Sequence, residues 1–306
     1  MPSTPQTAPP SPLHQRVLAW YAANARDLPW RAPGTSPWAV LVSEVMLQQT
    51  PVARVEPAYR AWIARWPDPA ALAAEPPGEA VRAWGRLGYP RRALRLHAAA
   101  TAVVERHDGR LPATYDELLA LPGVGAYTAA AVASFAYGGR HTVLDTNVRR
   151  VLVRAAAGRA GPAPSLTADE RRLGESLLPD DPAVAARWAV AVMELGALVC
   201  TARSPRCDEC PLREVCAWQV AGRPPHVGPA RRRQPFEGTD RQARGRLMAV
   251  LRAADGPVPA SALAAAWDEP VQRERALAGL LADGLVDEVG GGYCLPGTQD
   301  GDGRPG

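Results

Sequence analysis

Cys200, Cys207, Cys210 and Cys216 stand in the pattern C-x6-C-x2-C-x5-C, close enough along the chain to offer four thiolates to one centre. Disulfides are the plain alternative. The N-terminal MPSTPQTAPPSP, however, lacks the apolar core of a secretory signal, and no apolar run is long enough to span a membrane, so the thiols are expected to stay reduced. No histidine lies close enough to complete a zinc finger, and four-cysteine zinc sites usually show two C-x2-C pairs. The single tight pair favours a [4Fe–4S] cluster. Cys294 lies far away and reads as an ordinary small side chain.

Two carboxylates carry a second kind of chemistry. Glu44 is the one acid in the helical run from Trp38 to Thr50, with Val40, Leu41 and Leu47 on its own face. Desolvation there should raise its pKa and let it keep a proton near neutral pH, as a general acid must; a buried Glu paired with an Arg is the structural alternative. Asp145 in LDTNVRR offers a second carboxylate, or merely an N-cap for the helix that follows. Upstream, Leu121-Pro122-Gly123-Val124-Gly125 reads as a turn between helices. Pro122 ends one helix, and Gly123 and Gly125 permit positive φ and leave the amides bare. The unpaired N–H groups of the next helix, beginning Ala126-Tyr127-Thr128, add to an anion nest that suits a DNA phosphate, although such a turn is also common punctuation.

These residues, taken with others in order, resemble the MutY-type adenine DNA glycosylases of the helix-hairpin-helix, endonuclease III-like superfamily. The matching pieces cover about the first 220 positions: RDLPWR (26–31), SEVMLQQT (43–50), GRLGYPRRA (85–93), LPGVGAYTA (121–129), LDTNVRRV (144–151), MELGALVCT (193–201) and the cysteine quartet. The resemblance implies hydrolysis of the N-glycosidic bond of adenine mispaired with 8-oxoguanine or guanine in duplex DNA. Glu44 would protonate adenine N7 and activate water, and ionised Asp145 would stabilise an oxocarbenium-like sugar. Tyr127 and Asn147 match positions beside the sugar and acids, although Tyr127 has an equal claim to a packing role. The target base must be flipped out. Gln49 and Tyr89 match the residues that wedge into the gap, and Gln48 adds a second amide for minor-groove insertion, a solvated helix end being the plain alternative for the glutamines. Arg26, Leu28 and Trp30 match the segment that encloses the base, and Glu194 matches a position near the adenine. The hairpin residues Leu121, Gly123, Val124 and Gly125 would grip the backbone, with a monovalent cation as a further ligand there.

The chain contains no lysine, so its basic side chains other than histidine are all arginine. A Schiff-base lyase step through lysine, which bifunctional relatives use at the position matching Tyr127, is thereby excluded. A pI near 9.0 and net charge +4 suit a DNA partner. A monomer of cytoplasmic, nucleoid-associated, bacterial type is expected. Two rival readings are a sister glycosylase acting on thymine mismatches or oxidised pyrimidines, and a non-catalytic iron–sulfur DNA-binding regulator.

To position these groups the sequence offers helical runs such as SPLHQRVLAWYAANA and EAVRAWGRLG, which argue for an all-α body. The expected organisation is a cluster subdomain from 1–27 and 140–222, a six-helix hairpin domain over 28–139 with the cleft between them and Asp145 at the seam, and a basic linker at 223–235. Residues 1–12 and 298–306 read as disordered from their Pro and Gly content. Ninety residues follow Cys216, too few and too helical for the Nudix-like domain the family commonly carries. They read instead as a winged helix over 236–297: helices at Thr239–Ala254, Ser261–Trp267 and Val271–Asp283, and a wing in VDEVGGGYCLP. Such a domain would bind DNA non-specifically or serve a partner.

Overall fold

The computed structural model describes residues 11–225 and 236–298. Residues 226–235 of the expected linker, and most of the two segments expected to be disordered, lie outside the described residues. Pro12 is a correction to that expectation. It opens helix α1 (Pro12–Asn24) at the position where a missing N–H costs nothing, behind a reciprocal cap between Ser11 and His14.

The body is helical, as the sequence pattern predicts. After α1 come a 3-10 turn at Pro29–Arg31, α2 (Pro37–Leu47), α3 (Val52–Arg65), α4 (Pro69–Ala73), α5 (Pro77–Trp84), α6 (Arg91–His107), α7 (Tyr115–Leu119), α8 (Ala126–Phe135), α9 (Thr146–Ala155), α10 (Ala168–Ser176), α11 (Pro182–Leu198) and α12 (Ala217–Val220). Starts are marked by side-chain caps at Asp68, Asp145, Thr167 and Asp181, each accepting an orphan backbone N–H. No helix among the described residues is long and apolar enough to cross a membrane.

The chain divides into two compact units. The first comprises Met1–Val40, Ala113–Leu119 and Gly125–Ala230. Its core packs Val17 of α1, Val148, Val151 and Leu152 of α9, and Trp188, Val192 and Leu195 of α11. Burying each such side chain contributes about 1.5–3 kcal/mol. Arg149 of α9, itself buried, donates to Glu170 (2.7 and 2.5 Å) and to the carbonyls of Ala163 and Ser165.

The second unit comprises Leu41–Pro112, Ala120–Val124 and Arg231–Gly306. Trp62 meets Trp66 and Trp84 edge to face, with ring centroids 4.6 and 5.6 Å apart. The C-terminal part of this unit is a winged helix, as its pattern of turns and apolar runs predicts. It contains α13 (Asp240–Ala253), β1 (Val258–Pro259), α14 (Ala260–Ala266), α15 (Pro270–Ala282), β2 (Asp287–Val289) and β3 (Gly292–Cys294). The antiparallel sheet runs β1-β3-β2, pairing Val258 with Tyr293 and Glu288 with Tyr293. Leu247, Met248, Leu251, Leu263, Leu280 and Leu285 fill its core, and Cys294 is buried there as a small side chain.

Candidate active site

Asp145 is the N-cap of α9 and more than a cap. Its Oδ1 accepts the Val148 N–H at 2.6 Å, and its Oδ2 accepts the Asn147 side-chain amide at 2.9 Å. Asn147 in turn accepts from Arg150 (2.7 Å), whose guanidinium also donates to the carbonyls of Gly196 (2.7 Å) and Cys200 (2.6 Å). Burial pushes the Asp145 carboxyl above the ordinary aspartate range, and the Val148 and Asn147 bonds with nearby Arg150 pull against that rise. The arrangement fixes a carboxyl group at a helix N-terminus, with both oxygens held by donors.

Arg150 and its neighbour Arg154 were not among the residues singled out from the sequence. The signal was present, since three arginines fall in the run VRRVLVR, whose other residues are apolar, and a buried guanidinium must find acceptors. Arg154 donates to the Cys200 sulfur (3.4 Å) and the Thr201 carbonyl (2.7 Å) and lies over the Trp218 ring. Arg223 donates to the Cys207 sulfur at 3.6 Å. Burial raises the Cys200 thiol, and burial, followed by the crowding of the other three cysteines, raises Cys210 to about 11. Four such thiolates side by side need a compensating cationic centre, and guanidinium donors aimed at sulfur suit sulfurs bearing negative charge. None of these cysteines is in a disulfide. Among the described residues no three His, Cys, Asp or Glu side chains converge as around a single ion. Four cysteines, with guanidinium donors aimed at the Cys200 and Cys207 sulfurs, are a donor set that fits an iron–sulfur cluster.

Glu194 is fully buried at 0% exposure, gripped by Arg26 through Nε (2.7 Å) and Nη2 (2.8 Å) and by Arg31 (3.0 Å). Those contacts hold its acid below the usual carboxylate range even though burial opposes them. Its place is thus behind the Arg26–Arg31 segment, which it anchors, and its carboxylate is spent on that anchoring. Leu28 and Trp30 of the same segment are buried. Tyr127 is half-buried and packs against the cluster of Ala130, Ala131, Val143 and Ala189.

In the second unit Glu44 is 6% exposed, between the buried Ser43 and Val45 on a helix whose Val40, Leu41, Val42 and Met46 are also buried. The helix ends in a turn where Gln49 has φ +54°, while Tyr89 of a separate turn has φ +48° and is 55% exposed. One buried side chain joins these two tips. Arg92 donates to the carbonyls of Val45, Met46 and Gln48 (2.7–3.0 Å), to Thr50 Oγ1 (3.0 Å) and to the Gly88 carbonyl (3.0 Å). Burial without an acid partner lowers its pKa to about 10. In GYPRRA nothing marks Arg92, rather than the adjacent Arg91, as the buried arginine.

The hairpin is a Leu121-to-Val124 turn (3.2 Å) with Leu121 and Val124 buried and Gly123 exposed at φ +74°. A Cβ at Gly123 would stand 2.5 Å from Arg95 Cβ. Gly125 corrects one expectation, because its φ is −97°, extended rather than left-handed. Nothing lies within 4 Å of where its Cβ would be, so what it supplies is open access to the first amides of α8.

Comparison with known proteins places this geometry. Residues 42–175 match the family model described as HhH-GPD superfamily base excision DNA repair protein, and residues 200–216 match the iron-sulfur binding domain of endonuclease III. The adenine DNA glycosylase of Mycobacterium tuberculosis (strain ATCC 25618 / H37Rv) is 53% identical over 300 residues, 97% of this chain and 98% of that protein. That of Homo sapiens is 43% identical over 209 residues, 65% of this chain and 38% of that protein. Among solved structures, a thermostable thymine-DNA glycosylase aligns with TM-score 0.60 and 26% identity, covering 68% of this chain and 95% of its own.

Proposed function

The chain belongs to the adenine DNA glycosylase family of the helix-hairpin-helix base-excision repair superfamily and has a [4Fe–4S] cluster as cofactor, and from that premise we propose that it releases adenine mispaired with 8-oxoguanine or guanine. The observation that carries the reading is Glu44, an acid only 6% exposed on a helix whose Leu41, Val42, Val45 and Met46 are buried as well, where a proton can be kept for delivery. Glu44 gives that proton to adenine N7, so the base departs neutral as the C1′–N9 bond breaks. The electron pair of that bond leaves with the base, and positive charge develops on the sugar. Asp145, anionic and fixed by Val148 and Asn147, stabilises that charge. Water then adds to C1′ and returns its proton to Glu44, leaving an abasic site. Tyr127 and Asn147 line the sugar side.

The hairpin amides at Gly123–Gly125 take a backbone phosphate, with a monovalent cation as a further ligand. Gln48, Gln49 and Tyr89 fill the space left by the flipped adenine, and Arg26, Leu28 and Trp30 enclose it. Cys200, Cys207, Cys210 and Cys216 would hold the cluster, which when bound would join the ends of the 200–216 segment. With no lysine in the chain, strand cleavage through a lysine Schiff base has no nucleophile. The protein acts as a monomer.

The likeness to a thymine-DNA glycosylase structure supports a second reading, release of thymine from G·T pairs. Single-turnover release from duplexes bearing A opposite 8-oxoguanine, A opposite G, A opposite T and G·T decides between them. Release from the first two alone, lost in Glu44→Gln, is expected. Thymine release would establish the second reading, and binding without release of either base would sink both.

A further inference from the structure

The winged helix has no part in the chemistry above, and its charge argues against gripping DNA. Residues 236–298 hold six arginines against nine acids, net −3, in a chain that totals +4. Affinity for the phosphate backbone comes largely from cationic side chains. Five of the six arginines are engaged within the second unit: Arg275 on Asp240 (2.6 and 2.7 Å), Arg244 on Asp283, Arg273 on the Trp267 carbonyl (2.7 Å), Arg252 on the Val81 carbonyl (3.2 Å), and Arg241 over the Phe236 ring.

What this domain does grip is the segment that presents Tyr89. At the start of α5 the Gly78 N–H donates to the Pro296 carbonyl at 2.7 Å, so closely that a Cβ on Gly78 would stand 2.6 Å from that oxygen. Farther along α5, Arg82 donates to the carbonyls of Arg252 and Ala254, the latter at 2.8 Å. Beyond the turn, Arg91 at the head of α6 pairs with Asp283 at 3.1 Å. The residues between, 85–90, include three in the left-handed region, Gly85 (φ +54°), Gly88 (φ +83°) and Tyr89 (φ +48°). Such backbone persists only where its surroundings over-determine it, and a turn with loose flanks relaxes. Arg92 fixes the turn from beneath through Gly88, and the winged helix fixes both its flanks.

We propose that the C-terminal domain is a brace that holds the Tyr89 turn ready for insertion, rather than a DNA-binding module in its own right. The inference rests on the wedge role given to Tyr89 above. It gives a domain of this charge a place in a DNA enzyme: Asp240 and Asp283 pair with arginines of its own unit, Arg91 beside the turn among them.

The test uses the full-length, cluster-loaded protein and the variants Gly78→Ala, which drives a methyl into the Pro296 carbonyl, and Arg82→Gln, which removes the donors to Arg252 and Ala254. Extrusion is read by stopped-flow fluorescence of 2-aminopurine placed beside an adenine opposite 8-oxoguanine. Each variant is expected to slow extrusion tenfold or more, and adenine release in step. Duplex affinity at two salt concentrations, melting temperature and cluster absorbance should hold, and Arg82→Lys, which keeps a donor, should fall between. Should Gly78→Ala misfold, Arg82→Gln and Arg82→Lys still decide the matter. Unchanged extrusion overturns the brace, and so does normal extrusion with weakened, more salt-sensitive binding, which would make the domain a DNA-binding module. A wild type that releases no adenine defeats the glycosylase reading itself, whereas active wild type and equally active variants defeat only the brace.

Discussion

Glu44 and Asp145 occupy surroundings of opposite kinds. Glu44 sits mid-helix among Leu41, Val42, Val45 and Met46, whereas Asp145 sits at a helix start with a backbone N–H, a side-chain amide and a nearby guanidinium directed at it. An apolar face favours a carboxyl that holds its proton, and a ring of donors favours one that gives it up. On the proposed mechanism the same functional group serves once as a proton carrier and once as an anion, although burial raises the Asp145 carboxyl against the pull of its donors. The supports differ as well. Asp145 is tied through Asn147 and Arg150 to the carbonyls of Gly196 and Cys200, while the helix bearing Glu44 ends in carbonyls gathered by Arg92.

Removing the proton carrier should have the largest effect. Glu44→Gln is expected to cut single-turnover adenine release by roughly 10³–10⁴-fold with duplex binding retained, the range of general acid–base catalysis. A loss under tenfold would break the contrast between the two acids. Asp145→Asn should cost on the order of 10²–10³-fold, as loss of one electrostatic stabiliser does. Its pH profile sharpens the point. Burial raises the Asp145 pKa, so in the wild type the acid limb of the rate should lie above the ordinary aspartate range, and Asp145→Asn should abolish that limb. The same sign governs stability: a carboxyl whose folded-state pKa is raised favours folding below its unfolded value, and that contribution is lost as pH rises through the folded one. Wild type should therefore gain stability relative to Asp145→Asn as the pH is lowered across that interval, checked by urea melts at several pH values.

Smaller effects test the supports. Arg92→Lys keeps the charge but not the fork that reaches five acceptors, and should cost about 1–3 kcal/mol in urea melts while slowing base extrusion. Least of all, the two hairpin glycines should separate. Gly123→Ala meets both positive φ and the Arg95 side chain and should lose about 1 kcal/mol or more of stability. Gly125→Ala has open space and extended backbone, so it should fold normally and lose only duplex affinity, measured by fluorescence anisotropy.

Much of this was legible in the residues because it is local. The cap at Asp145, the breaks at Pro122 and Gly123, and the cysteine spacing are properties of a few neighbouring positions. The winged helix was likewise readable from its turns: helices expected at Thr239–Ala254, Ser261–Trp267 and Val271–Asp283 form at Asp240–Ala253, Ala260–Ala266 and Pro270–Ala282. Glycine was harder to read, since Gly123 takes the left-handed conformation and Gly125 does not, although both stand in one motif.

The sequence by itself determined the chemistry on offer: two acids in contrasting contexts, four thiols, a hairpin with bare amides, and arginine in place of lysine. Only the tertiary structure decided which arginines act as internal supports. Nothing near Arg92 marks it as the residue that gathers two distant turns, and nothing near Arg82 shows that it meets carbonyls 170 residues away. A guanidinium's role is set by the acceptors folding brings within reach, and long-range proximity is not written in local spacing.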